Sequence, residues 1–212
     1  MTPKLTSQEQ KNLVENLRPM LLQTAKKPFD KEGWLYELKL DGLRCLAHID
    51  GTTLISRHGK DLSNIFPEIQ LHKAVKKSVI LDGELVAMTN GIPDFYALRR
   101  RSLLKNNFKI KLASNANPVS FVAFDILYLD GENLCNKPLH ERKKILAANV
   151  KENGLTISKF VETNGTALFN AAVENNLEGV IAKRADSIYR PNKRTHDWLK
   201  FINPKFPETR RL

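Results

Sequence analysis

Cysteine is nearly missing: Cys45 and Cys135 are the only two in 212 residues, and neither has a C-x-x-C partner or a histidine cluster beside it. That excludes a disulfide framework and a cysteine-ligated zinc site, and it fits a reducing compartment with both thiols free. Long apolar runs are also missing. No stretch approaches the ~18 residues of a membrane span, and the N-terminus has no signal-peptide core. A cytosolic protein with no membrane partner is expected. No internal repeat or low-complexity segment is present, which sets aside solenoids and disordered tracts. Acidic residues are scarce relative to basic ones, 23 against 34, giving a formal net charge of +11 and a pI near 9.7. That imbalance favours a polyanionic partner, nucleic acid before membrane. The remainder is ordinary: 42% hydrophobic and 27% charged residues, enough for one domain or two small lobes with a real core.

Along the chain, residues 7–17 read as a short helix with Ser7 as cap and Gln10 completing a capping box, ended by Pro19. Residues 19–33 read as a linking segment. Strands are predicted at 34–40, 43–49 and 52–57, with a turn at Asp50-Gly51 between the last two. A helix is expected over 68–75, then a strand pair over 79–87 hinged at Gly83. Phe95, Leu98 and Arg101 fall at helical spacing, followed by basic, irregular residues to Pro118. The most hydrophobic strand is 119–129, closed by a turn at Asp130-Gly131. A helix over 139–149, a short strand over 155–161, a helix over 165–176 and strands over 178–183 and 197–202 complete the chain. Many antiparallel-looking strands with helices among them give an α+β fold of two mainly antiparallel sheets flanked by helices around a cleft.

The chemistry concentrates at charged residues inside apolar strands. Lys39 precedes Asp41-Gly42 where a strand meets a tight loop, a place that presents one amine to a pocket. Burial or neighbouring cations lower a lysine's pKa and free its lone pair for attack. Glu84 and Glu178 interrupt buried-looking strands, where an unpaired carboxylate is expensive. Each has a plain alternative: Lys183 or Lys200 as one end of a structural ion pair, Phe124 as core, the glutamates paired to arginines. Together, three lysines, two glutamates and an aromatic would suit a nucleoside triphosphate. Lysines neutralise phosphate, carboxylates hold ribose hydroxyls or a divalent cation, and an aromatic face stacks the base.

Six segments occur in a set order: Lys39-Leu40-Asp41-Gly42-Leu43-Arg44; Ser56-Arg57-His58-Gly59; Leu81-Asp82-Gly83-Glu84; Phe95-x-x-Leu98-x-x-Arg101; Phe124-Asp125-Ile126-Leu127; and Glu178-Gly179-Val180-Ile181-Ala182-Lys183, leading to Lys193-Arg194 and Trp198-Leu199-Lys200. In this order the chain resembles the covalent nucleotidyltransferases, and among them ATP-dependent DNA ligases of the bacterial end-joining type, over roughly residues 19–202. The resemblance implies an ATP-grasp-like nucleotidyltransferase fold around a nucleotide-binding cleft. Residues 1–18 would form an N-terminal helical segment, 19–202 the adenylation domain and 203–212 a tail, with the OB-fold absent. It implies that Lys39 attacks the α-phosphorus of ATP to give covalent lysyl-AMP. Glu37 would read the adenine edge, Arg44 and Arg57 would contact ribose and phosphate or the nick, and Glu84 would bind ribose. Phe124 would stack on adenine, and Lys183 and Lys200 would neutralise the α-phosphate. Glu178, with Glu84, would hold Mg²⁺ or Mn²⁺. The implied partners are nicked duplex DNA and a DNA-end-binding protein, acting on a monomer in the bacterial cytosol.

One departure is chemical. The family places a second lysine two residues after Lys200, and here that position is Ile202, so that either lysyl-AMP formation is slower or Lys193 or Lys205 substitutes. The basic stretch Arg99-Arg100-Arg101, with Lys105, Lys109 and Lys111, reads as a DNA-facing surface, since phosphate contacts are where such excess is used. Two other readings fit part of this pattern. An RNA ligase or capping guanylyltransferase shares the lysine chemistry, and a non-catalytic basic nucleic-acid-binding module would share the charge without the covalent step.

Overall fold

The structure is a computed structural model and describes residues 5–49, 53–89 and 91–207. The turn expected at Asp50-Gly51 lies outside the described residues.

Chain order runs α1 (Ser7–Asn16), β1 (Leu21–Thr24), β2 (Trp34–Leu38), β3 (Leu43–His48), β4 (Thr53–Ser56), β5 (Val79–Thr89) and β6 (Ile92–Pro93). It continues through α2 (Phe95–Ser102), α3 (Asn107–Ala116), β7 (Val119–Leu129), β8 (Glu132–Asn133) and α4 (Leu139–Asn149). The last elements are β9 (Thr156–Ile157), β10 (Phe160–Glu162), α5 (Gly165–Glu174), β11 (Gly179–Arg184) and β12 (Arg194–Ile202). Two sheets result. One has the order β1-β12-β11-β2-β10; the other runs β4-β3-β5-β7-β8, with β6 on β5 and β9 on β7. All pairings are antiparallel except β1 with β12 and β9 with β7. The α+β architecture read from the sequence is the one observed.

The apolar runs at 79–87 and 119–129 make the two longest strands, β5 and β7, buried along most of their length as central strands must be. β5 is one continuous strand, and the hinge predicted at Gly83 is instead a register shift within the β5–β7 ladder. Gly83 is needed there because a Cβ would run into the ring of Phe121. One core cluster, including Leu54, Phe66, Leu81 and Phe121, belongs to the β4-β3-β5-β7 sheet. A second draws on both sheets and on α1, through Val14, Leu46, Ile80, Leu127, Tyr189 and Trp198. A third joins α5 to its sheet through Tyr36, Ala172, Val180 and Phe201.

Several local expectations need correction. The cap of α1 is Thr6, whose capping-box partner is Glu9, not Ser7 with Gln10. Gln10 is buried instead, donating to the Leu5 carbonyl and accepting from Ser78. The supposed link contains β1, because Leu21–Thr24 pairs with β12, a long-range partner that leaves no local signal. The helix expected over 68–75 shrinks to one 3₁₀ turn, Leu71–Lys73, with no side chain capping its start, while Ile69, Leu71, Ala74 and Val75 plug the core. The basic stretch after α2 is not irregular. α3 forms there, capped by Asn106 and held by inward Ile110 and Ser114, and lysines are good helix formers at its exposed positions. Finally, 155–161 divides between β9 and β10, which join different sheets.

Candidate active site

The site begins where the chain changes sheets. β2 lies in one sheet and β3 in the other, so Lys39–Gly42 is the crossing between them. Its geometry is pinned on both sides. The Lys39 N–H donates to the Gly179 carbonyl at 2.9 Å. On the other side Gly42 packs so closely on β5 that a Cβ would meet the Leu85 carbonyl oxygen and the Glu84 Cγ. Gly179 has φ +145°, and a Cβ there would strike the Phe201 carbonyl oxygen of β12. That close approach lets Glu178 arrive beside Lys39, with Oε2 2.7 Å from Nζ.

Between the sheets lies a cavity of about 460 Å³. Lys39, Arg44, Arg57, Glu84, Glu178 and Lys200 line it, together with Glu37 and Phe124. Eight of the nine residues singled out from sequence therefore converge from five strands and three connecting segments, while Lys183 stands just behind the wall, 1% exposed.

The cavity has two electrostatic ends. At one, burial pushes the Glu84 carboxyl up to about 8, Glu178 and Asp82 adding to that while Lys39 and Arg44 oppose it. Burial likewise raises Glu178 above the usual carboxylate range, with Lys39 and Lys200 pulling the other way. Burial, and then the Lys39 charge, lowers Lys200. Arg57 is lowered by burial and by the cations of Arg44 and Arg194. Arg44 is held in a fork by Asp82, at 3.0 Å and 2.7 Å, and the Tyr189 hydroxyl donates to the same carboxylate at 2.6 Å. Burial works against the Arg44 cation, but Asp82 outweighs it and raises the guanidinium pKa. This end carries excess positive charge, suited to phosphate.

The Arg44 guanidinium, 5.2 Å from the Phe124 ring centroid, joins this end to the other, where the Lys183 ammonium sits 4.3 Å from the same centroid and 4.4 Å from that of Trp198. Lys183 Nζ also lies 3.1 and 3.0 Å from the two Glu37 carboxylate oxygens. Burial pushes Lys183 down to about 8 despite Glu37. The Lys143 ammonium, from α4, is 2.6 Å from Glu37 Oε1, and the Ser158 hydroxyl donates to Oε2 at 3.3 Å. Burial by itself would raise Glu37, yet the two ammonium groups outweigh it and hold the carboxyl below its ordinary value.

Lys143, Ser158 and Arg194 were not assigned roles from sequence. Arg194 lies within a quoted segment and lines the cavity, whereas Lys193 and Lys205, the expected substitutes for a lysine at 202, are exposed and do not. Lys143 is one of two adjacent lysines in a helix and carries no sequence signal. Arg101 is a correction to the DNA-facing reading. It is 4% exposed, paired to Glu68 at 2.9 Å, and donates to the carbonyls of Ile65, Ala113 and Asn117. It ties α2 to α3, while Arg99, Arg100, Lys105, Lys109 and Lys111 remain exposed.

The donor set also fits a divalent cation of the magnesium type. Glu84 and Glu178 both face Lys39 and both resist ionisation, a strain that a hard cation relieves. No group of three or more His, Cys, Asp or Glu suited to a metal exists among the described residues. One or two carboxylates completed by substrate phosphates is how Mg²⁺ is usually held.

Residues 19–201 match the family described as ATP dependent DNA ligase domain. The chain is 38% identical over 194 residues to the SPbeta prophage-derived DNA ligase-like protein LigB of Bacillus subtilis, covering 90% of this chain and 68% of that protein. It is 34% identical over 210 residues to the bifunctional non-homologous end joining protein LigD of the same organism, covering 89% of this chain but 34% of that one. The structure of mycobacterial DNA ligase D complexed with ATP and MES superposes with a TM-score of 0.74 at 32% identity, over 88% of this chain and 60% of the other.

Proposed function

The chain belongs to the ATP-dependent DNA ligase family, and from that premise we propose that it carries the nucleotidyl-transfer step of DNA end joining, with Lys39 as the group that is adenylylated. The Lys39 amine, after losing a proton, attacks the α-phosphorus of ATP. A phosphorus–nitrogen bond forms, the bond to the bridging oxygen breaks, and pyrophosphate leaves with that electron pair. AMP then passes from Lys39 to a 5′-phosphate at a nick, and the 3′-hydroxyl displaces it to close the backbone. Such chemistry depends on charge neutralisation and in-line positioning more than on proton relays.

The observation that carries this reading is the Lys39–Glu178 pair at 2.7 Å on the loop joining two sheets, at the cationic end of a nucleotide-sized cavity. Lys200 neutralises the α-phosphate, with Arg44 and Arg57 serving ribose, phosphate or the nick. Glu84 serves the ribose. Mg²⁺ or Mn²⁺ held by Glu178 and Glu84 would withdraw charge from the phosphates. Phe124 stacks on the base. The resemblance assigned Lys183 to the α-phosphate; its contact with Glu37 supports the base end instead, where Glu37 accepts from the adenine amino group and Lys183 holds Glu37 from behind. Arg194, lining the cavity near Lys200, takes the cationic place left by Ile202.

The substrate proposed is nicked or broken duplex DNA, delivered with an end-binding protein to a monomeric, cytosolic enzyme. No helix among the described residues is long and apolar enough to cross a membrane. The test is incubation with a divalent cation and α-labelled ATP, GTP or NAD, followed by denaturation. Label from ATP alone, lost in Lys39→Ala, is expected. Chain that is neither labelled nor already carrying AMP by intact mass would overturn the reading and favour a binding module.

A further inference from the structure

Glu37 reads the base only if it is ionised and has an oxygen free to accept, and its surroundings bear directly on both. Three groups reach its carboxylate: Lys183 on both oxygens, Lys143 on Oε1 and Ser158 on Oε2. Lys143 comes from α4, outside the six ordered segments, and is 6% exposed, with its ammonium 5.4 Å from the Phe160 ring centroid. A buried lysine is costly unless it has a specific charge partner, and Glu37 is the partner. Lys183 alone would neutralise Glu37, so a second buried ammonium exceeds what a structural ion pair requires.

We propose that Lys143 is a positioning residue for base selection: with Lys183 it keeps Glu37 an oriented anion from behind, so that the cavity face always presents an acceptor at Glu37. Resting on the base-end roles given above, this explains a preference for adenine. Adenine offers an exocyclic amino donor, which complements that acceptor. Guanine offers a carbonyl acceptor at the same position, which opposes it. If Glu37 took up a proton, it would lose this polarity. When the adenine amino group donates to Glu37 in place of one of its present donors, Lys143 remains to compensate the carboxylate, so the exchange strands no buried charge.

The groups facing Lys183 are Glu37 from β2, Lys143 from α4 and Asp125 from β7, with the rings of Phe124 and Trp198 against it. Those facing Glu37 are Lys143, Lys183 and Ser158. Removing the Lys143 cation therefore moves both titrations upward, Glu37 because a counter-charge is lost and Lys183 because a repelling charge is lost.

The experiment is calorimetric titration of the full chain, with chelator present to prevent the covalent step, using ATP and purine riboside triphosphate, which lacks the exocyclic amino group. Wild type is expected to prefer ATP by about tenfold or more, the worth of a hydrogen bond to a charged acceptor. In Lys143→Met that preference falls to within about threefold, chiefly through ATP, and its pH window moves upward; Lys143→Arg restores it. Lys143→Gln, which removes the charge but keeps a donor, behaves as the methionine variant and serves if that one does not fold. Equal weakening of both nucleotides, or an unchanged preference in Lys143→Met and Lys143→Gln, overturns the proposal, as does a wild type indifferent to the amino group. A wild type that binds ATP selectively yet never forms lysyl-AMP sinks the transfer chemistry alone.

Discussion

Glu84 shows how one half-buried carboxyl makes the free protein sensitive to pH. Its pKa is raised to about 8 in the folded chain, mainly by burial, against an ordinary value of 4.5. A carboxyl raised on folding binds its proton more tightly in the native state. Its favourable contribution is therefore complete below the unfolded value and is lost as pH rises toward 8. Glu84→Gln removes that loss. Without nucleotide or metal, the variant should melt higher than wild type at pH ~8.5, by roughly 2 °C or more, with the gap closing near pH ~4.5. Thermal melts across that range check it, and a gap independent of pH would contradict it. Glu178 acts more directly. Glu178→Gln leaves Lys39 without its 2.7 Å counter-ion and the cation site with one carboxylate, so lysyl-AMP formation should slow by about tenfold or more at fixed metal concentration. Rapid-quench labelling measures this. Lys39, Glu84 and Glu178 were legible because each breaks an apolar strand in one of the ordered segments. Lys143 was not, because its partner Glu37 becomes its neighbour only when α4 packs against β7.

On the scale of elements, two arginines that look like candidates for DNA contact or general basicity hold helices in place. Arg142 on α4 is fully buried, forked to Asp125 of β7 at 2.8 Å and 2.8 Å, and donates to the carbonyls of Lys137 and Ser187. Arg142→Met would leave Asp125 charged and unpaired in the core, a cost of about 3–5 kcal/mol. Urea denaturation should show a large drop in midpoint. α2 separates the two uses of arginine on one helix. Arg101→Ala should destabilise the fold, while Arg99→Ala with Arg100→Ala should leave the denaturation midpoint nearly unchanged and weaken binding to nicked duplex. The opposite pattern would remove this face from the DNA interface. The FxxLxxR spacing revealed the helix but not the direction in which its last arginine points, since that depends on Glu68 and the carbonyls of α3.

At the level of the whole molecule, the transfer residues come from both sheets, so their spacing is only as exact as the crossing that joins them. Gly179→Ala should disturb that spacing without a large loss of core. A Cβ there meets backbone at φ +145°, forcing β11 away from β12 and Glu178 away from Lys39. Loss of labelling with most secondary structure retained, read by circular dichroism, is the expected outcome. The net charge of +11 acts over a longer range. Affinity for nicked duplex should fall linearly on a log–log plot against salt, with a slope that loses about one unit for each phosphate-contacting lysine or arginine removed. The protein spans about a third of the end-joining relative from Bacillus subtilis, at 34% of its length, so the complete joining reaction belongs with tests that include whatever completes that architecture.

Sequence by itself determined the strand and helix inventory in outline, the two-sheet class, and the identity of the cavity residues. Those features rest on local periodicity and on residue types at fixed spacing, which survive without knowledge of contacts. Tertiary structure decided what spacing cannot encode. It decided that Lys39 lies on the crossing between sheets and that Leu21–Thr24 is an edge strand. It set Lys183 against Glu37, turned Arg101 inward, and brought Lys143 from α4 to the same Glu37 carboxylate. Each of these depends on a partner distant in the chain, and the direction of a charged side chain is set by where its counter-charge is delivered.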